Sequence, residues 1–98
     1  MENHMTAREL QAFLHANIPA TAALSLSVVD ITPDSLILSA PHAPNRNHKN
    51  TVFGGSIALA ATVGGWAMVH SRFPEAAGNI VIQLGETRYL HPANGDLT

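Results

Sequence analysis

The chain has 98 residues, of which 46% are hydrophobic and only 12% charged, and its formal net charge is −2. This length predicts one domain with a small core, and the lack of surplus positive charge argues against a nucleic-acid-binding protein. Since the chain has no cysteine, it cannot form a disulfide framework or a zinc–thiolate site. Globular domains usually carry about 25% charged residues, so we expect part of this surface to lie in an interface.

The N-terminal residues predict an amphipathic helix rather than a secretion signal. Thr6 and Glu9 have the spacing of a capping box, and Pro19 is expected to end the helix, which we assign to residues 1–19. The apolar stripe behind the cap consists of Leu10, Phe13 and Leu14. No basic stretch with an apolar core precedes this helix, so we expect no signal peptide and a cytoplasmic protein.

Two strands are expected next. Residues 24–31 alternate between apolar and polar side chains, which is typical of a half-buried strand. Residues 32–35 have proline in the second position of a turn, and residues 36–40 predict a second strand. The short connection favours an antiparallel hairpin.

The stretch from Thr51 to Val69 contains no charged side chain. We expect a polar loop at 41–49 and then a helix that begins within a residue or two of Phe53 and ends near Arg72. A helix that is apolar around its whole circumference must be buried on every side, in a protein core or in lipid. Its many glycine, alanine and hydroxyl residues give poor hydropathy for membrane insertion, so a core helix is favoured. A small membrane-anchored protein is the less favoured alternative.

The first turn of this helix is suited to a negative charge. Gly54 and Gly55 leave the backbone N–H groups uncovered at the positive end of the helix dipole. Such a terminus binds a phosphate, a carboxylate or the oxyanion of a reaction intermediate. Composition and spacing do not choose among these ligands.

A third strand is predicted over residues 80–90, where apolar residues again alternate. Gly85 inside it predicts a bulge or a close backbone contact, Pro92 follows it, and residues 94–96 predict a turn. Three strands can cover one side of a long helix but cannot surround it. We therefore expect residues 1–98 to form a single, incomplete domain that further strands or other chains complete.

Two motifs resemble those of the hotdog-fold thioesterases, most closely the thioesterase domains that are sometimes fused to an acetyltransferase domain. The first is the loop and glycine pair at 47–56, which is similar to the asparagine loop and His-Gly-Gly opening of acyl-CoA thioesterases. The second is Thr-Arg-Tyr-Leu-His-Pro at 87–92, followed by Gly95 and Asp96, which is similar to the family's third strand and its turn. The resemblance covers residues 20–98 and implies an antiparallel sheet wrapped around the central helix. In that family two or three further strands follow the turn, and they are absent from this sequence.

The resemblance also implies an acyl-thioesterase site at the start of the helix. Gly54 would supply an oxyanion donor, and Asn47 would orient the carbonyl group or the attacking water. Two positions depart from the family pattern, since its histidine before the glycine pair is Phe53 here and its helix carboxylate is Thr62 here. Thr62 can position a water molecule but cannot accept a proton at neutral pH.

His48 and Glu86 are the candidate replacements for the missing base, and the sequence does not choose between them. The catalytic candidates are Asn47, Gly54, Thr62 and His48. The candidate substrate-binding residues are Phe53, Gly55, Ser56 and Arg88. The side chains that could meet the phosphates of coenzyme A are Arg46, Lys49 and Arg88.

Each of these features also has a simpler structural interpretation. Asn47 can cap a turn, the glycine pair can serve close packing, and Thr62 can be a core residue bonded to its own helix. The three cationic side chains can be solvated surface charges. The six histidines show no ligand spacing, so we expect neither a metal nor another cofactor.

We therefore expect an α+β hotdog domain that hydrolyses acyl thioesters of coenzyme A or acyl-carrier protein. Its free sheet edges and low charge favour a homodimer or a dimer of dimers, with neither nucleic acid nor membrane as a partner. The alternative is a non-catalytic module that binds acyl thioesters in fatty-acid metabolism. We also expect the 98-residue chain by itself to be unstable, because one flank of its long helix lacks cover.

Overall fold

A computed structural model describes residues 5–98, so the first four residues of the predicted N-terminal helix lie outside the described part. The described chain combines helices with a two-stranded antiparallel sheet, which confirms the predicted α+β class. In chain order, its elements are α1 (Ala7–Asn17), α2 (Pro19–Ala23), β1 (Ser27–Ile31), β2 (Leu36–Ser39), α3 (His42–Asn45), α4 (Gly54–Arg72) and a 3₁₀-helix (Pro74–Ala76).

Helix α1 begins with the capping box that the sequence predicts. The Thr6 hydroxyl accepts a hydrogen bond from the Glu9 amide at 3.0 Å, and the Glu9 carboxylate accepts one from the Thr6 amide at 2.9 Å. The helix ends at Asn17, but Pro19 does not end helical structure as predicted, because it occupies the first turn of α2. Proline is tolerated there, since its missing N–H group would have no partner within the helix.

Strands β1 and β2 form the predicted hairpin, with Ser27 opposite Ser39 and Ile31 opposite Leu36. The first strand begins at Ser27 rather than at residue 24, because the preceding residues complete α2. A bulge shifts the register after Val28, whose amide donates to the Gln11 side chain of α1 at 2.9 Å. This bond fixes the sheet against α1.

The core lies between α1, the hairpin and one face of α4. Its buried side chains are Leu10, Leu14, Leu24, Leu26, Val28, Ala40, Val63 and Ala67. Leu24, Leu26 and Val28, the alternating apolar residues of the predicted first strand, are among them. The same core therefore joins the N-terminal helix to the central helix.

The stretch from 41 to 53 is more ordered than the predicted loop. It contains the single-turn helix α3, whose last residue, Asn45, is 1% exposed. The Asn45 side-chain amide donates to the carbonyl oxygens of Leu24 at 2.9 Å and Pro41 at 2.8 Å. The main-chain carbonyl of Asn45 accepts a hydrogen bond of 2.7 Å from the amide of Phe53. Asn45 therefore fixes the segment that leads into α4.

Helix α4 runs from Gly54 to Arg72, as predicted, and one of its flanks lacks cover, as we expect for the 98-residue chain by itself. Only Ser56, Val63 and Ala67 are buried, while Val69 is 42% exposed. The hairpin and the core cover one flank of the helix, and no other element of residues 5–98 encloses the opposite flank. Among these residues, no helix combines the length and apolarity that crossing a membrane requires.

Residues 79–90 contain no strand, although their alternation predicts one. They instead cross the exposed flank of α4, where Trp66 Nε1 donates to the Ile80 carbonyl at 2.9 Å and Tyr89 contacts Gly54. Within the described chain, the backbone groups of residues 81–92 make no hydrogen bond. A strand exists only where a neighbouring strand accepts and donates hydrogen bonds, and the described residues offer none here.

The solvent-accessible surface of the chain is larger than that of a compact monomer, as expected when one flank of α4 is uncovered. The chain exposes 6602 Å², whereas a compact monomer of its mass exposes about 5,400 Å². The most exposed of the large apolar side chains lie in residues 79–90, with Val81 91% and Leu84 85% exposed. The excess surface is larger than the roughly 800 Å² that one partner contributes to a standard protein–protein interface.

Candidate functional site at the start of the central helix

A cleft of about 260 Å³ lies beside the first turn of α4, and we call it the Gly54 cleft. Gly54 and Ile57 of the helix form one wall, together with Val52 just before it. The opposite wall is the C-terminal segment Tyr89, Leu90, His91, Pro92 and Ala93. The cleft therefore joins the two motifs that carry the family resemblance.

The first two amides of α4 are available to a ligand. The amides of Ser56 and Ile57 donate to the carbonyl oxygen of Phe53 at 3.0 and 3.3 Å. In contrast, no acceptor within residues 5–98 receives a hydrogen bond from the amide of Gly54 or Gly55. Unpaired N–H groups at the positive end of a helix stabilise a negative charge. This end of the cleft can therefore hold an anionic oxygen.

Tyr89 closes the cleft over the start of the helix. Its hydroxyl donates to the Gly54 carbonyl oxygen at 3.0 Å. A Cβ atom on Gly54 would lie 3.3 Å from Tyr89 Cε1, which is closer than an ordinary contact. The absence of a side chain at Gly54 therefore lets the tyrosine ring approach the backbone.

Backbone hydrogen bonds hold the C-terminal wall in place. The Val52 amide donates to the Ala93 carbonyl at 2.9 Å. Further along, Ala40 and Leu97 exchange two hydrogen bonds of 2.8 and 3.1 Å, which adds a single antiparallel bridge beside β2. These bonds bring residues 89–93 back to the start of α4 from a position far along the chain.

His91 supplies a titratable group to the cleft, and sequence reasoning did not select it. In an extended segment, residues two apart point to the same side, so Tyr89 and His91 fall on one face. That spacing was the signal available in the sequence. The spacing points to a site only once the structure places these two residues opposite the start of α4.

Asn47 organises the loop before the cleft. Its side-chain oxygen accepts hydrogen bonds from the amides of Lys49 at 2.9 Å and Thr51 at 3.2 Å, and its side-chain nitrogen donates to the Thr51 hydroxyl at 2.9 Å. These contacts are those of a turn-capping asparagine, the simpler of the two interpretations. A direct contact with substrate stays a prediction.

Phe53 lies against Gly55. A Cβ atom on Gly55 would overlap the phenylalanine ring, whose Cδ2 would lie 3.0 Å away. The ring is 56% exposed and therefore free of the core. The glycine pair thus makes room for two aromatic rings, Tyr89 at Gly54 and Phe53 at Gly55.

Of the predicted site residues, Gly54 alone lines the Gly54 cleft. Thr62 is exposed and its hydroxyl has no hydrogen-bond partner within residues 5–98, so the interpretation of Thr62 as a back-bonded core residue is wrong. Thr62 instead faces the exposed flank, where its Oγ1 is 3.9 Å from the position of a Cβ atom on Gly85. Ser56 is buried under the first turn. The remaining charged or titratable candidates are exposed and lie away from the cleft, namely Arg46, His48, Lys49, Glu86 and Arg88.

The described residues 5–98 contain no group of three histidine or acidic side chains placed to hold a metal ion. The residues that line the cleft include Gly54, Tyr89 and His91, and the free amide of Gly55 follows that of Gly54 along the chain. This set can bind an anionic or polarised oxygen and can transfer a proton.

Comparison with known proteins places this arrangement in a family. Residues 7–98 match the model of the family described as "Putative thioesterase (yiiD_Cterm)". The structure is similar to a crystal structure described as a putative thioesterase from Shewanella oneidensis, with 31% identity and a TM-score of 0.81, over 92% of this chain and 64% of that one. It is also similar to a protein of unknown function from Chlorobaculum tepidum, with 33% identity and a TM-score of 0.81, over 92% of this chain and 56% of that one.

The chain therefore spans less than two thirds of the length of either solved structure. The two neighbours confirm the predicted hotdog-like α+β fold at the level of the long helix and its antiparallel strands. From the family match and the shared fold, we conclude that the chain belongs to the yiiD C-terminal family of thioesterase-like domains.

Proposed function

We propose that this protein hydrolyses acyl thioesters of coenzyme A or acyl-carrier protein in the Gly54 cleft. The observation that carries the proposal is the pair of unpaired amides, on Gly54 and Gly55, at the head of a helix that borders an open cleft. Such donors stabilise the oxyanion that forms when a carbonyl carbon is attacked. The family match supports the same chemistry.

The reaction needs a water molecule, a proton acceptor and a leaving thiolate. Water attacks the thioester carbonyl carbon, and the carbonyl electron pair moves onto the oxygen held by the Gly54 amide. When the tetrahedral intermediate collapses, the carbon–sulfur bond breaks and the thiolate takes up the proton removed from the water. The products are a carboxylic acid and a free thiol.

We propose His91 as the group that accepts and returns this proton. It lines the cleft with Gly54, whereas His48 and Glu86 do not. Imidazole is suited to the role because it exchanges protons near neutral pH. We propose that Asn47 contributes by holding the loop before the helix and that Thr62 is not the base, since a threonine hydroxyl cannot accept the proton.

A non-catalytic acyl-thioester-binding module is the second candidate. The observation in its favour is that α4 carries no carboxylate between Gly54 and Arg72. Binding needs the cleft and the amides but no base, so both functions would use the same residues.

The deciding experiment offers the full-length protein a panel of acyl-CoA and acyl-carrier-protein thioesters and follows thiol release with a thiol-reactive dye. Saturable thiol release that stops when His91 is replaced by Gln supports hydrolysis. Saturable binding without thiol release shows the non-catalytic module. If the protein neither binds nor cleaves any thioester, both proposals are wrong.

We also propose that a homodimer covers the exposed flank of α4. Both edges of residues 81–92 have free backbone N–H and C=O groups, which pair readily with another strand. The apolar side chains on this segment add the hydrophobic surface that an interface requires.

A further inference from the structure

The turn that follows the C-terminal wall of the cleft contains an asparagine and then a glycine, Asn94 and Gly95, and both residues are exposed. Within residues 5–98, neither the Asn94 side chain nor the Gly95 amide makes a hydrogen bond. A Cβ atom on Gly95 would meet no atom within 4 Å, so nothing packs against this part of the turn. The side-chain carbonyl of Asn94 and the main-chain nitrogen of Gly95 are therefore free to approach each other.

These two groups can react without an enzyme. The deprotonated main-chain nitrogen attacks the side-chain carbonyl carbon, the new carbon–nitrogen bond closes a succinimide ring, and the side-chain nitrogen leaves as ammonia with the proton that the main-chain nitrogen gave up. Water then opens the ring at either carbonyl and yields aspartate or isoaspartate. A following glycine favours the attack, because it has no side chain to hinder the approach and the most mobile backbone.

The other described asparagines each have at least one of the two reacting groups held by a hydrogen bond. After Asn50, the amide of Thr51 donates to a side-chain oxygen in the same loop at 3.2 Å. After Asn79, the amide of Ile80 donates to the Gly78 carbonyl oxygen at 2.8 Å. The asparagines whose side-chain nitrogen donates to an oxygen at 2.8–2.9 Å are Asn17, Asn45 and Asn47.

We propose that Asn94 is a site of spontaneous deamidation and that the isoaspartate formed there loosens the C-terminal wall of the cleft. Hydrogen bonds hold the main chain on both sides of the site. Before it, the Ala93 carbonyl accepts from the Val52 amide, and after it, Leu97 and Ala40 exchange two hydrogen bonds. Isoaspartate lengthens the main chain between these attachments by one methylene group, so the two can no longer keep their present geometry together. Neither step requires the protein to hydrolyse a thioester.

The first experiment keeps the folded full-length protein in mildly alkaline buffer and follows each asparagine by peptide mapping with mass spectrometry that distinguishes isoaspartate from aspartate. Asn94 should convert first. Gly95→Ala should slow the conversion about fivefold or more, since alanine restricts the backbone. The variant should fold normally, because the new methyl group meets no atom within 4 Å and the φ of Gly95 lies outside the left-handed region.

Asn79 is the internal control, as it is exposed but is followed by a hydrogen-bonded amide. Unfolding in urea should speed the conversion of Asn79 and leave the rate at Asn94 nearly unchanged. The proposed site is wrong if Asn79 converts as fast as Asn94 in the folded protein, if Gly95→Ala keeps the parent rate, or if Asn94 reacts only after unfolding.

The second experiment measures hydrogen exchange in the isoaspartyl protein. The amides of Val52 and Leu97 should exchange about tenfold faster than in the fresh protein, because their acceptors on Ala93 and Ala40 are no longer held in place. Asn94→Asp is the matched control, since it adds the same charge without the extra methylene group, and it should exchange like the parent. Equal exchange in the isoaspartyl and fresh proteins, or an equal rise in Asn94→Asp, would overturn the proposed loosening.

Discussion

The Tyr89 hydroxyl donates a hydrogen bond of 3.0 Å to the main-chain carbonyl oxygen of Gly54, and Cε1 of its ring lies 3.3 Å from the position that a Cβ atom on Gly54 would take. The two residues are far apart in the sequence and belong to the two motifs of the family resemblance. Their contact brings the C-terminal wall against the start of α4. The width of the Gly54 cleft therefore depends on how closely this ring approaches the helix.

We predict that Gly54→Ala lowers kcat/KM for an acyl thioester about tenfold, because the methyl group displaces the Tyr89 ring and disturbs the alignment of the substrate. In a Tyr89→Ala background, the same substitution should cost little, since the ring is gone. Steady-state kinetics of the single and double variants measure this coupling. Gly65→Ala is the control, because a Cβ atom there meets nothing within 4 Å. An equal loss in both backgrounds would contradict the prediction.

A second pair, Phe53 and Gly55, makes a prediction about stability. In an exposed helix, replacing glycine with alanine stabilises by about 0.8–1.0 kcal/mol. Here the Phe53 ring occupies the space of the new methyl group, so Gly55→Ala should bring no gain in the parent protein. In a Phe53→Ala background, it should stabilise by about 0.5–1 kcal/mol. Urea denaturation of the parent protein, the two single variants and the double variant gives the coupling energy between the two positions. Additive effects on the free energy of unfolding would refute the prediction.

The proposed base makes a prediction about the rate of hydrolysis. His91→Gln should lower kcat by a factor of about 10² to 10⁴, which is the usual contribution of a general base. His48→Gln is the control and should keep the parent rate, because His48 does not line the Gly54 cleft. Steady-state kinetics of the two variants measure both rates. If His48→Gln lowers kcat and His91→Gln does not, the roles are reversed.

Asn45 should matter for stability more than any exposed asparagine. Asn45→Ala leaves the carbonyl groups of Leu24 and Pro41 without their shared donor, which should cost about 1–3 kcal/mol of unfolding free energy. Asn79→Ala is the matched control, since Asn79 is exposed. Chemical denaturation measures both variants. Similar stabilities for the two would show that Asn45 does not fix the segment before α4.

The exposed apolar side chains of residues 81–92 lead to a prediction about the oligomeric state. Replacing both Val81 and Leu84 with lysine should shift a dimer to monomers, because each places a charge on the apolar surface that a partner would cover. Glu86→Lys is the control, as it adds a positive charge without removing apolar surface. Sedimentation velocity distinguishes the species. A parent protein that is monomeric at high concentration would rule out the proposed dimer.

Local patterns in the sequence correctly predicted the elements that need only neighbours along the chain. The capping box fixes the start of α1, the alternation and turn before residue 36 produce the hairpin, and the uncharged run predicts most of α4. These features depend on backbone hydrogen bonds and turn geometry within a few residues. For the same reason, the glycine pair could be recognised as an open helix start before any contact was known.

The tertiary structure decided what depends on distant partners. Residues 79–90 have the alternation of a strand but no neighbour to bond, so they lie across α4 without becoming one. Asn47 caps its own loop, and His91 reaches the cleft only because the C-terminal segment returns to the helix start. The periodicity of a sequence shows which side chains share one face of a helix or strand. It does not show what that face packs against, because that depends on distant parts of the chain.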